Sequence, residues 1–171
     1  GWGGVRDALA AGYRPGFLAT GNSHDGRPGT SRWGGNSGGL AGILWTARSR
    51  EGLHDALRRR AIYGTTGPRA LVDFAVDGAP MGSQVPVAAR HVLRFRVVDS
   101  RPIADVTVVR DGQDWRTVEA PSGWQELVDL EPSPSSYYLR ASLAGGHMAW
   151  SSPVYVGPTP AVPPPASPPP P

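Results

Sequence analysis

An α/β region over residues 1–68, an all-β antiparallel sandwich over residues 69–157 and a proline-rich tail over residues 158–171 form the architecture that the sequence predicts. Three observations carry this prediction. Up to Pro68, short and continuously apolar runs alternate with stretches of helical periodicity, the pattern of strands covered on both faces in a parallel sheet or barrel. From Ala70 to Val156 the period changes to two, with turn residues between the runs, as in an antiparallel sandwich. Beyond Gly157, nine of the last fourteen residues are proline. A segment so poor in backbone donors is expected to be a disordered or polyproline II tail.

The elements follow in order. Val5, Ala8 and Leu9 have helical spacing, and Gly12 fits a C-terminal stop. Phe17-Leu18-Ala19-Thr20 reads as a short buried strand, after which a glycine-rich loop runs from Gly26 to Gly39. Leu40 to Thr46 is a second apolar strand. Ser49 is an N-cap candidate for a helix that places Leu53, Ala56 and Leu57 on one face. Ile62-Tyr63-Gly64-Thr65 is a further strand, and Gly67-Pro68 reads as a turn. In the sandwich region, LVDFAVDG, HVLRFRVVDS, ADVTVVRDG, SYYLRASL and WSSPVYVG are alternating runs. Leu93, Phe95 and Val97 form the buried side of their strand; Val92, Arg94 and Arg96 form the other side. About 90 residues are enough for this region to bury its own core.

Composition narrows the function. The chain has 171 residues, a net charge of +3 and no cysteine, which excludes disulfides and thiolate metal sites. All 17 basic residues are arginine, consistent with a GC-rich coding sequence. Arg58-Arg59-Arg60 either touches phosphates or closes a helix at the negative pole of its dipole. Without a reading motif beside it, no nucleic-acid partner is expected. No apolar run approaches the roughly 18 residues of a membrane-spanning helix. The opening Gly-Trp-Gly-Gly reads as a cut end, so this sequence is expected to be a piece of a longer protein.

The residues with the most chemistry lie in the stretch ATGNSHDGRPG. His24 follows a short apolar run, with Asn22 two positions before it and Asp25 directly after. Imidazole is the commonest metal ligand at neutral pH, and carboxylates are its usual companions. The alternative is a histidine packed in a polar loop and bonded to backbone. A catalytic metal site takes three protein ligands, and His54, His91 and His147 show no paired spacing. If His24 binds metal, most of its partners lie upstream of this sequence. His54 reads as a surface residue of a helix, His91 as the start of a strand, and His147 as part of a Gly-Gly-His turn.

Four stretches resemble the C-terminal part of a PHP-type metallohydrolase, of the polymerase and histidinol phosphatase superfamily, and within it the DUF3604 branch. They are VRDALAAGYRPGFLATGNSHDGRPG, GGLAGILWTARSREGLHDALRRRAIYGTTGPR, FAVDGAPMGS and YYLRASLAGGHMAWSSPVYV. The resemblance implies an α/β partial barrel over residues 1–68, the C-terminal strands and helices of a PHP-like barrel. Residues 69–157 would then be a β-sandwich accessory domain. It also implies divalent metal ions (zinc, manganese, iron or magnesium) at the barrel mouth. A late Asp-x-His motif of such families falls on Asn22 and His24, which makes His24 a metal ligand. Asn22 departs from the pattern, since an amide oxygen brings no charge.

The chemistry so implied is metal-assisted hydrolysis of a small anionic or ester substrate. Asp25 hydrogen-bonds His24 or a reacting water, or else caps the loop. Arg27 and Arg32 meet an anionic substrate, or remain solvated. Tyr63, Thr65 and Thr66 are placed to line the site. The competing reading is a non-catalytic binding module, with Trp115, Trp124, Tyr137, Tyr138 and Trp150 as a stacking platform on the sandwich. A partial barrel also leaves apolar faces at Val5, Leu9, Ile43 and Leu53 uncovered, so residues 5–65 are expected to be loose or associating in the isolated chain.

Overall fold

A computed structural model describes residues 4–21, 39–44, 47–131 and 136–158. Along them lie α1 (Val5–Ala10), β1 (Leu40–Ile43), α2 (Arg50–Arg58), β2 (Ile62–Thr65), β3 (Leu71–Val76), β4 (Ala79–Pro80), β5 (Gln84–Val85), β6 (His91–Val98), β7 (Ile103–Arg110), β8 (Gln113–Glu119), β9 (Gln125–Asp129), β10 (Ser136–Leu143), β11 (His147–Ser151) and β12 (Val154–Val156). Period-two alternation sorts the longer strands into two faces. In β6, His91, Leu93, Phe95 and Val97 are buried while Arg94 and Val98 are exposed.

The smaller sheet is antiparallel in the order β4-β3-β6-β9. The larger sheet is built around β10, which pairs with β7 on one side and with β11 and then β12 on the other. Proline cannot donate to a ladder, and Pro153 lies at the break between β11 and β12. β8 extends the larger sheet beyond β7, and β5 adds a short parallel pair to β12. The two sheets share one core. Val72, Phe74, Leu93 and Phe95 of the smaller sheet pack in the same apolar cluster as Val106, Val108, Leu139 and Ala141 of the larger.

The N-terminal region departs from the predicted α/β partial barrel. Among the described residues no closed barrel forms, and the fold is a β-sandwich-like arrangement of mostly antiparallel strands. β1 pairs with β2 antiparallel, Leu40 opposite Thr65 and Ile43 opposite Ile62, and β2 in turn pairs antiparallel with β11. α2 therefore links two antiparallel neighbours at one end of the sheet and is not a crossover between parallel strands. The prediction failed because β2 is covered on both faces. Its Tyr63 packs against the sandwich core, while Ala19 lies on Gly64 from the other side. A strand buried on both faces reads as a continuous apolar run whatever its direction. Phe17 to Thr20, predicted as a strand, belongs to no ladder.

The local signals are realised. Gly12 takes the positive φ of 86° expected after a helix end. Ser49 caps α2, its side chain accepting the Gly52 amide at 3.0 Å. No described helix is long and apolar enough to cross a membrane.

Candidate functional site

Residues 13–21 lie across the outer face of the larger sheet and are fastened to it at several points. The Phe17 amide donates to Ser152 Oγ at 2.8 Å, and the Tyr155 hydroxyl donates to the Pro15 carbonyl at 2.6 Å. The Phe17 ring meets Tyr138 edge-on at 5.1 Å. The Arg14 guanidinium donates to the carbonyls of Val156, Gly157 and Pro158 and stacks, like Arg60, over the Tyr155 ring. Burial raises the Tyr155 pKa, against the opposing pull of the two guanidiniums. The phenol therefore stays a donor.

The direction of this segment fixes where its loop emerges. A Cβ on Gly16 would come within 3.2 Å of the Ile62 side chain, and one on Gly64 within 2.8 Å of the Ala19 Cβ. The segment thus runs alongside β2 toward Thr65. The chain returns at Gly39, where a Cβ would be 2.8 Å from that of Ala19 and 2.9 Å from the Thr20 amide nitrogen. Asn22, His24, Asp25, Arg27 and Arg32 fall between these ends and lie outside the described residues.

A cleft of about 680 Å³ opens beside the same segment. Val5, Phe17 and Leu18 form one wall, and Tyr138, Trp150 and Gly64 on the sheet form the other. At one end Arg140 grips Asp114 with two bonds of 3.0 and 2.7 Å, and Arg6 reaches the same carboxylate at 3.5 Å. The Arg140 bond, ahead of an opposing burial effect, holds the Asp114 pKa below the ordinary value; the same bond raises that of Arg140. Arg140 and Arg6 carried no signal in sequence beyond their charge.

The remaining candidates separate clearly. Thr66 Oγ1 accepts the Met148 amide at 2.9 Å and lies 3.2 Å from His147 Nδ1, so a half-buried imidazole stands at the end of β2. Thr65 is instead spent on the turn, donating to the Pro68 carbonyl at 2.7 Å, and Tyr63 donates to that of Ala70 at 3.0 Å. His54 is exposed on α2. His91 is fully buried, with Nδ1 2.6 Å from Asp77 Oδ2. Among the aromatics, Tyr137 and Tyr138 are core residues and Trp115 and Trp150 are half-buried. Trp124 is 47% exposed and has the Arg94 and Arg96 guanidiniums 4.6 and 4.7 Å from its ring centroid. Among the described residues no three histidine or carboxylate side chains gather in a way that could hold a metal ion.

Residues 13–95 match DUF3604, a family described as proteins of unknown function. The DUF3604 match runs from the segment on the sheet, through the loop and β1, into β6. Beyond it, the chain is similar to uncharacterized proteins of three chlamydial species. It is 32% identical over 143 residues to one from Chlamydia muridarum and 33% identical over 143 residues to one from Chlamydia trachomatis. A third, from Chlamydia pneumoniae, is 31% identical over 141 residues. In each case the match covers 70% of this chain and 23% of the relative, so the chain spans about a quarter of their length. A solved structure, the PmoD soluble domain from Methylocystis sp. ATCC 49242, resembles 53% of the chain and 92% of its own at 11% identity. Its TM-score of 0.37 is too low to carry an argument.

Proposed function

We propose that this chain is the distal part of a metal-dependent hydrolase of the PHP type, and that it contributes one late metal ligand, His24. What supports the reading is the placement of the loop stem. The Asn22–His24 stretch begins directly after a segment strapped to the sheet by Phe17 and Arg14, and the chain returns at Gly39 against Ala19. An imidazole and a carboxylate five and six residues beyond Ala19, the last anchored position, suit a site needing a positioned ligand.

The donor set fits such a group only in part. One imidazole, one amide oxygen and one neighbouring carboxylate fall short of a catalytic site's ligands unless residues outside this sequence complete it. A bound divalent ion supplies Lewis acidity and a water of lowered pKa. The roles left to this chain are to orient and to neutralise. In this reading Asp25 would accept the second N–H of His24 or bond a reacting water, and Arg27 and Arg32 would meet the negative oxygens of an ester substrate.

The deciding experiment uses the full-length polypeptide loaded with zinc, manganese, iron or magnesium and assayed on phosphomonoesters, phosphodiesters and carboxylic esters. His24→Ala is expected to lower bound metal and activity together. Unchanged metal content in that variant would reject the assignment. A non-catalytic binding module has Trp124 in its favour, the one exposed member of the expected aromatic platform. Absence of further metal-ligating histidines in the upstream sequence would favour that second reading.

A further inference from the structure

We propose that the cleft between α1, residues 15–19 and the outer face of the larger sheet binds an amphipathic organic anion, a compact aromatic or branched aliphatic body carrying one phosphate, sulfonate or carboxylate group. The volume of about 680 Å³ is that of a small-molecule site. Its walls are apolar where the body would sit: Leu18 is 51% exposed, and Phe17 and Trp150 face the same space. An indole and a phenyl ring present flat, rigid surfaces that favour an aromatic partner.

Hydrogen-bond donors at one end select the polar group of the ligand. At the polar end two guanidiniums, Arg140 and Arg6, share the single carboxylate of Asp114. The other acid on the wall, Asp7, accepts the Gly4 amide at 2.8 Å and so serves the start of α1. A guanidinium has five N–H donors in a planar fork. Arg140 uses two of its donors on Asp114, and Arg6 stays more than half exposed. The charges of Asp114 and Asp7 balance those of the two guanidiniums, but guanidinium N–H donors remain for an anion at the mouth of an apolar slot, where they bind phosphate or carboxylate by charge-assisted hydrogen bonds. That this ligand is a substrate rests on the proposed hydrolase function; binding itself needs no metal.

The test is calorimetric titration of the 171-residue chain with 1-naphthyl phosphate, beside inorganic phosphate and 1-naphthylmethanol. One saturable site is expected, with affinity about tenfold or more above either control. Leu18→Asp, at an exposed wall position, should weaken binding about tenfold, and Arg140→Gln should bring the phosphate ester down to the level of the alcohol. If Arg140→Gln does not fold, Arg6→Gln with Leu18→Asp decides the matter. Absence of saturation at millimolar ligand, an unchanged affinity in Leu18→Asp and Trp150→Ala, or equal binding of inorganic phosphate would each overturn the proposal. In the metal-loaded full-length polypeptide the two readings separate. Hydrolysis with an unaltered KM in Leu18→Asp leaves the hydrolase and removes the cleft, whereas naphthyl phosphate binding without metal-dependent hydrolysis does the reverse.

Discussion

Asp77 holds a backbone conformation that few side chains tolerate, with φ at 50°, and its carboxylate ties the turn between β3 and β4 to the start of β6. Oδ2 pairs with the buried His91 and Oδ1 accepts the Val92 amide at 2.8 Å. Burial pushes the Asp77 pKa up, but the bonds from Val92 and His91, with the charges of His91 and Arg90, outweigh it, so the net displacement is downward. A carboxyl whose folded pKa is depressed adds stability above its unfolded value, and that stability is lost as pH falls through the folded value. Asparagine also tolerates positive φ, so Asp77→Asn removes mainly the charge. It should cost about 1 kcal/mol at neutral pH, a value discounted for partial exposure. Urea melts at several pH values should show the gap closing in acid, and a gap independent of pH would refute the account. Ser152 does a different task by accepting the Phe17 amide. Ser152→Ala should cost about 1 kcal/mol and speed hydrogen exchange at that amide, with the sandwich amides unchanged.

Elements were legible wherever one residue pattern had one physical cause. Leu93, Phe95 and Val97 alternate because one side of β6 faces the core, and Ser49 announces α2 because a hydroxyl satisfies a free helix amide. The direction and partners of β1 and β2 were not legible, since cover on both faces erases the alternation that would have marked an antiparallel pair. β8 was missed for the opposite reason. It is an edge strand whose residues are exposed or half-buried, and Gln113-Asp114-Trp115-Arg116 shows little apolar periodicity. Of the candidate site, the loop residues could be chosen by chemical type. The cleft could not, because Phe17 and Leu18 meet Trp150 and Arg140 only after folding. Close backbone approaches are similarly hidden, and two glycines expose this. Gly82 has φ 87°, and a Cβ there would sit 2.3 Å from the Arg59 carbonyl oxygen, whereas Gly78 has φ 79° and open space around it. Gly78→Ala should cost only the conformational penalty, about 1 kcal/mol. Gly82→Ala adds a backbone clash and should cost about 3 kcal/mol or more. Equal denaturation midpoints for the two variants would show that the approach of α2's end to Gly82 is not tight.

For the molecule as a whole, the larger sheet takes strands from both sides of Pro68. β2 lies between β1 and β11, with Tyr63 opposite Ser151, Gly64 opposite Trp150 and Thr65 opposite Ala149. The Ser152 amide donates to the Ile62 carbonyl at 3.1 Å, and the Thr66 amide donates to the Met148 carbonyl at 2.9 Å. Removing β2 would therefore strip hydrogen bonds from β11 and uncover apolar surface, so β2 and the sandwich should unfold together. α1 is the opposite case. It has six residues and none of them is buried, and so short a helix is marginal in water without packing. Val5 on α1 and Leu18 beside it remain about half exposed, on the wall of the cleft. The expectation that residues 5–65 are loose or associating is carried in this prediction by α1 alone. Native-state hydrogen exchange should find the β2 amides protected to the level of β10 while α1 exchanges early, within one calorimetric unfolding transition. Two transitions, or β2 amides exchanging as fast as those of α1, would mean that residues 39–65 dock on a sandwich that is complete without them.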